Sequence, residues 1–474
     1  KAGVFMKDIG VVNARSGGGG NGTLNIEGGR LNVGSGGITN EGSGPATVKV
    51  GGDGGTIRAT ANFSSSLAMT LSGTGVDAAT FDTNGNNIAL SGALGGAGGL
   101  IKDGAGTLTL SGLNPYTGGT VIHDGILEVS GSGGGQCRIR GSVTVNPGAE
   151  LRLTGGDGSG FGYTSSVNPS QRVDTLNIVD GLVNAGNVHL YYAGVNMTGG
   201  QFNVNGQFGN VAVNTLASAN TAGIAGGIVI RGDSWNNLTA YLPFTVADGA
   251  ADVDLLVSAN ISEYSNTGAG RVTKLGAGTM AMTGTNSYSG TTTVEAGTLL
   301  VNGSNNGTGA VTVNSGVLGG TGSIAGPVTI NGGARLSPGA SIEDLGTGSL
   351  TLAAGSFFDV ELVPTACDRV DVTGGVSLAD AILQLAIGGD FAAYGGTQYV
   401  LINNDGYADP VAGTFDSLPE GSVINSLQGQ FVLSYQGGDG NDVVLTAVPE
   451  PATMALLGLA ACSLGGYLRR RRSA

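Results

Sequence analysis

The residues able to do chemistry in this 474-residue chain are few and far apart. Acid-pair catalysis needs two carboxylates about 5–10 Å apart, and the nearest approach to that is Asp252-Val253-Asp254, where a strand would turn both acids to one face. Glu343, Asp344, Asp368 and Asp371 are scattered, with no companion cluster of Arg or Lys to hold an anionic sugar. Surface solvation is the expected fate of all six. His123 and His189 are the two histidines, each set among ordinary strand residues, and no G-x-S-x-G turn presents a nucleophilic serine. Gly437-Gly438-Asp439-Gly440-Asn441-Asp442 fits a calcium-binding nonapeptide, but that design needs stacked copies to supply six to eight oxygens, and one copy occurs. A turn joining Phe431–Tyr435 to Val443–Thr446 explains the same residues. Tyr191-Tyr192, Trp235 and Phe161-Gly162-Tyr163 offer faces for stacking on sugar, against the plainer expectation that they pack in core or turns.

Cys137, Cys367 and Cys462 make an odd number without C-x-x-C spacing, so neither a zinc site nor a disulfide framework is readable. No catalytic residue, metal ligand or cofactor is expected, and the chain reads as a non-enzyme.

The elements that carry these residues follow from composition. Gly fills 92 positions and charged residues only 11%, with few of the Glu, Lys and Arg that dress helices. The glycines lack a three-residue period, which excludes collagen, and the steady Val, Leu and Ile argue against disorder. Strands joined by tight turns remain. Net charge is −14, and removing the four positive charges at Arg469–Arg472 leaves −18. Such a body is repelled by nucleic acid, so no nucleic-acid partner is expected.

Repeats give the strands an order. Lys102–Gly131 and Lys274–Gly303 share 14 of 30 aligned positions. The shared residues include Lys102 and Lys274, Gly104 and Gly276, Gly106 and Gly278, Thr107 and Thr279, Asn114 and Asn286, and Tyr116 and Tyr288. His123 aligns with Glu295, a position that tolerates different chemistry and so belongs on a solvated face. A finer pattern of Thr, an apolar residue, two variable residues and Gly starts at Thr293, Thr312, Thr329 and Thr351, and again alone at Thr144. A unit this short cannot bury its own apolar face and must stack on its neighbours. The alternation places Leu299 and Val313 inside, with Thr293 and Thr312 outside or in ladders.

The two longer units resemble the autotransporter-associated β-strand repeat, K-x-G-x-G-T-L-x-L-x-G-x-N-x-Y-x-G-x-T. Met280 and Met282 replace leucines, and Pro115 or Ser287 precedes the tyrosine. What the resemblance implies is architecture and surface exposure, with no shared catalytic residue. Autotransporters end in a translocating barrel, whereas this chain ends otherwise, so self-export is not expected.

Its end reads Pro449-Glu450-Pro451, then Ala452–Leu468 without a charge, then Arg469, Arg470, Arg471 and Arg472. Seventeen helical residues span about 26 Å, just short of a hydrocarbon core of roughly 30 Å. The arginines would remain cytoplasmic and halt transfer. This order resembles the PEP-CTERM sorting signal, which implies recognition and removal by an exosortase in a Gram-negative envelope. An export signal is expected ahead of Lys1.

The expected fold is all-β: a right-handed parallel β-helix (solenoid) with a β-rich C-terminal cap and a short C-terminal transmembrane sorting helix. Residues 1–341 form the body, 342–446 closing rungs or a cap, 447–451 the linker, 452–468 a transient membrane span and 469–474 a basic tail. Three functions compete. The first is a structural or adhesive protein of the cell envelope, surface or extracellular matrix; the others are a carbohydrate-active β-helix enzyme and a binder of extracellular polysaccharide.

Overall fold

The computed structural model describes residues 12–13, 22–40, 43–131, 138–155, 172–232, 239–265, 268–339, 342–388, 395–405, 409–426 and 429–448. These are all-β, coiled as a parallel β-solenoid, and their one helical element is the 3-10 turn Gly75–Asp77. No helix among them is long and apolar enough to cross a membrane, and the apolar segment 452–468 lies outside the described residues. The chain divides into two compact units, Lys1–Thr291 and Thr292–Ala474.

In the second unit the Thr-apolar-x-x-Gly pattern becomes rungs. Strands Thr292–Val294, Val311–Val313, Val328–Ile330 and Leu350–Leu352 pair in parallel with Thr293, Thr312, Thr329 and Thr351 in register. Threonine suits the outer row because its β-branched side chain packs against its neighbours on a pleated surface. Val294, Val313, Ile330 and Leu352 point the other way and are buried, as is Leu299. The chain then turns at Gly316, whose φ of +89° is left-handed and whose added Cβ would run into the Gly297 carbonyl oxygen.

The first unit repeats the logic with larger side chains. Ile88, Leu108, Leu127, Leu151, Val183, Phe202 and Ile224 follow one another in register along one wall of the core, and all are fully buried. Truncating any of them to alanine costs roughly 2–5 kcal/mol, because stacked rungs cannot close over the gap.

Amide ladders tie the outside. Asn214 Nδ2 donates to Asn196 Oδ1 at 3.1 Å, Asn196 to Asn177 at 3.0 Å, and Asn177 to Thr144 Oγ1 at 3.3 Å. A second ladder runs from Asn203 to Asn184 at 2.7 Å and on to Glu150 Oε1 at 2.8 Å. The second unit has its own, from Asn331 to Asn314 at 2.8 Å and on to Glu295 Oε1 at 2.9 Å.

Parallel rungs continue through Phe357–Val363 and Ile382–Ile387 and, beside Arg369–Val372, to one edge of Gln398–Asn404, beyond which the pairing reverses. Gln398–Asn404, Asp442–Val448, Gly429–Gly437 and Val423–Ser426 form an antiparallel meander. Aromatic rings join it to the rung before it, with Phe358 and Phe415 6.1 Å apart and Phe415 and Tyr435 6.0 Å apart between centroids.

Candidate functional site

The repeat residues converge on buried turns. Lys102 is fully buried, in register between Phe81 and Ile122, so its strand delivers a cation into an apolar column. Its ammonium is held by oxygens: the carbonyls of Asp103, Gly104 and Asp124 at 3.0, 2.5 and 2.8 Å and Thr83 Oγ1 at 3.2 Å. Burial lowers its pKa to about 8, against the opposing pull of Asp124, Asp103 and Asp82. Lys274 repeats the arrangement beside Phe244, donating to the Leu275 and Gly276 carbonyls at 3.1 and 2.8 Å. Burial lowers it likewise to about 8, with Asp254 opposing.

The other motif residues serve the same corners. Tyr116 is buried with its hydroxyl 2.5 Å from Thr120 Oγ1. Asn114 Oδ1 accepts from Leu94 N, and Asn286 Oδ1 from Ile261 N, each at 3.0 Å and each on the preceding coil. Thr107 and Thr279 begin strands whose first amides donate to Asn87 Oδ1 and Asp254 Oδ2. Gly104 and Gly276 turn with φ of +76° and +79°, and a Cβ on Gly106 or Gly278 would strike backbone oxygens of Asn86 or Ala247. The inward parity of Leu100 and Lys102, and of Val272 and Lys274, was the available signal for a buried lysine.

Several acids depart from the expected solvation. Asp254 is buried, while Asp252 is exposed, so the pair is not presented on one face. The Asp254 carboxylate accepts from Gly249 N and Thr279 N, both at 2.8 Å, which is why the chain draws it inward. Asp368 is also buried, accepting from Glu361 N at 2.8 Å and Glu343 N at 3.3 Å. Burial raises it to about 6. The acids that are scattered in sequence are brought together by strand register: Arg369 pairs with Asp344 at 2.7 Å and Asp371 at 2.9 Å. Cys367 beside them is half-buried, and burial pushes its thiol up to about 12.

His123 and Glu295 are exposed, and His189 lies on a different face region of the first unit, stacked on Tyr191 with centroids 5.7 Å apart. Gly437–Asp442 closes a hairpin, and Asp442 Oδ1 accepts from Asn404 N at 2.9 Å. Tyr191 is buried, and Arg172 lies 5.1 Å from the Tyr192 ring centroid. Trp235, Phe161, Tyr163, Cys137 and Cys462 lie outside the described residues.

Sequence reasoning missed one feature. In the first unit, strands Leu182–Tyr191, Gln201–Gly209, Ala222–Ile230 and Asn260–Glu263 stack in parallel and bend together. A register shift between Asn184 and Asn187 makes the bend, with Gly226 at φ +104° where a Cβ would strike the Val204 carbonyl. Beyond it is an open groove of about 540 Å³. Asn187, Asn205, Gly227 and Asn260 form one row along it, and His189, Gln207, Val229 and Ser262 the next. At its edge Arg231 lies 4.6 Å from the ring centroid of Tyr264, which is 37% exposed.

Residues 447–472 match the PEP-CTERM protein-sorting motif. The chain carries an export-sorting signal. Pro449, Glu450, Pro451 and Arg469–Arg472 fall within that PEP-CTERM match and outside the described residues. Residues 100–129 and 272–301 match the Passenger-associated-transport-repeat family, so the caged lysines, buried tyrosines and turn asparagines are residues of that repeat. A stretch of 242 residues is 32% identical to the Adhesin BmaC autotransporter of Brucella suis biovar 1 (strain 1330). It covers 42% of this chain and 7% of that protein, so the chain spans a small fraction of its relative's length. A PEP-CTERM motif is a substrate for an exosortase processing system, and with adhesin-like repeats it marks an exported protein of the cell envelope or surface.

Proposed function

We propose that this is a non-catalytic adhesive scaffold of the cell surface, held in the membrane transiently through 452–468 and released when an exosortase cuts near Pro451. The carrying observation is the presence on one chain of a PEP-CTERM motif and two passenger-type repeats. A weakly apolar span containing Gly458, Gly465 and Gly466 is a poor lasting anchor, which supports processing over permanent anchoring. The lysine cages support a structural role for the repeat, since their polar groups face one another inside the coil.

The test is made in the native host. Mass spectrometry of the envelope-associated protein should find most molecules ending near Pro451, and Glu450→Ala should leave the tail in place and reduce surface protein. An intact Arg469–Arg472 terminus on most molecules refutes processing. Loss of adhesion to an abiotic or cellular surface on deleting the gene, restored by the wild-type chain, supports the adhesive role, and unchanged adhesion refutes it.

A further inference from the structure

We propose that the bent groove of the first unit binds a neutral polysaccharide chain lying along the stacked strands. This goes beyond surface display and does not depend on how the tail is processed.

The lining has the chemistry of a sugar's complement. In a chain of net charge −14, the residues lining the groove include no acid, lysine or arginine, and the nearest cation, Arg231 at the edge, is bonded to Gln207 Oε1. They offer amides, a hydroxyl, an imidazole and the apolar surface of Val229. A pyranose ring presents apolar C–H faces edged by hydroxyls that both donate and accept, and a primary amide can answer in both senses. Full charges would be costly to cover with an uncharged ligand, and none lines the groove, Arg231 standing at its edge with Gln207 and the Tyr264 ring as partners.

Two of the groove's four amides are committed through their oxygens: Gln207 Oε1 accepts from Arg231 at 2.5 Å and Tyr191 at 3.1 Å, and Asn260 Oδ1 from the backbone. Asn187 and Asn205 differ from the amides of the outer ladders. In the outer ladders, asparagines in register bond one another, as Asn203 does to Asn184 at 2.7 Å and Asn196 to Asn177 at 3.0 Å. Asn187 and Asn205 are equally in register and exposed, yet neither side chain bonds another protein group among the described residues. Asn260 Oδ1 is taken by Thr285 N at 2.8 Å, which leaves its NH2 as a donor.

Gly227 is the third observation. Its backbone is not left-handed, so the conformation does not require glycine there. An added Cβ would meet only Asn205 Oδ1 at 3.2 Å and the Asn260 carbonyl at 4.0 Å, which a movable amide can accommodate. What the missing side chain provides is room in the middle of the amide row. Stacked strands repeat about every 4.8 Å, so successive rungs present their polar groups at a regular interval suited to an extended polymer. The half-exposed ring of Tyr264 lies at the edge, where a sugar can rest against it.

The full chain in mild detergent should be screened on an array of neutral glucans, mannans and galactans with polyuronates alongside, and the best polymer titrated by calorimetry. Saturable binding to a neutral polymer is expected. Gly227→Leu, which fills the groove, should weaken it at least about tenfold with an unchanged circular dichroism spectrum. Asn196→Ala, on the outer ladder, should change affinity less than about twofold. Should Gly227→Leu fail to fold, the exposed pair Asn187→Ala/Asn205→Ala carries the same expectation. Absence of binding to every neutral polymer, binding confined to polyuronates, or binding indifferent to the groove variants would each overturn the proposal.

Discussion

Lys102 Nζ donates to the carbonyl oxygen of Asp124 at 2.8 Å, fastening the side chain of one rung to the turn of the next. Lys102→Ala should therefore destabilise the first unit by about 3 kcal/mol, because it orphans buried acceptors as well as leaving a cavity. Lys102→Met, which restores the apolar stem without the donors, should recover only part of that. Urea unfolding of the variants measures both, and a loss below about 1 kcal/mol for the alanine would contradict the cage's structural role.

The same burial makes stability depend on alkaline pH. Lys102 and Lys274 fall from 10.5 to about 8 in the folded chain, so between those values the unfolded chain binds more protons. Their contribution is fully present above pH 10.5 and is lost as pH falls through 8. The melting temperature of Lys102→Met/Lys274→Met should vary less across this window than that of the wild type.

Asp368 has the opposite sign. Its pKa rises from 3.8 to about 6 on folding, so the stability it lends is present below 3.8 and lost as pH rises through 6. Thermal melts between those limits should show a loss that Asp368→Asn flattens. A wild-type slope retained in the variant would assign the effect to other groups.

Two turning glycines should differ. Gly316 and Gly333 both have left-handed φ, +89° and +84°, but a Cβ at Gly316 collides with the Gly297 carbonyl whereas one at Gly333 meets open space. Gly333→Ala should cost about 1 kcal/mol from backbone strain alone, and Gly316→Ala clearly more. Equal costs in denaturant melts would show that the close approach relaxes freely.

The residues that were legible in sequence are those that repeat. Thr293, Thr312, Thr329 and Thr351 give their own register, since one outer row and one inner row satisfy every copy, and Leu299 and Val313 lie inside as their parity requires. The tail is legible for another reason, because its three elements adjoin in sequence. Asp254 and Asp368 were misread as solvated because the amides that draw them inward, Thr279 N and Glu343 N, lie 25 residues away on other coils. The groove was invisible for the same reason. It depends on a one-residue shift at Asn184/Asn187 and on a glycine at 227 whose meaning appears only beside Asn205.

The three amide ladders have a direction. In each, the later residue donates to the earlier one, and two begin on carboxylates, Glu150 and Glu295, which as anions can only accept. An acceptor at the start obliges every amide after it to face the same way. A chain laid down from its N-terminal side thus finds each bond's receiving atom already in place, while one laid down from the other side must leave every donor waiting. The fold is in this sense a one-way zip, whose teeth close in the order in which the chain is read.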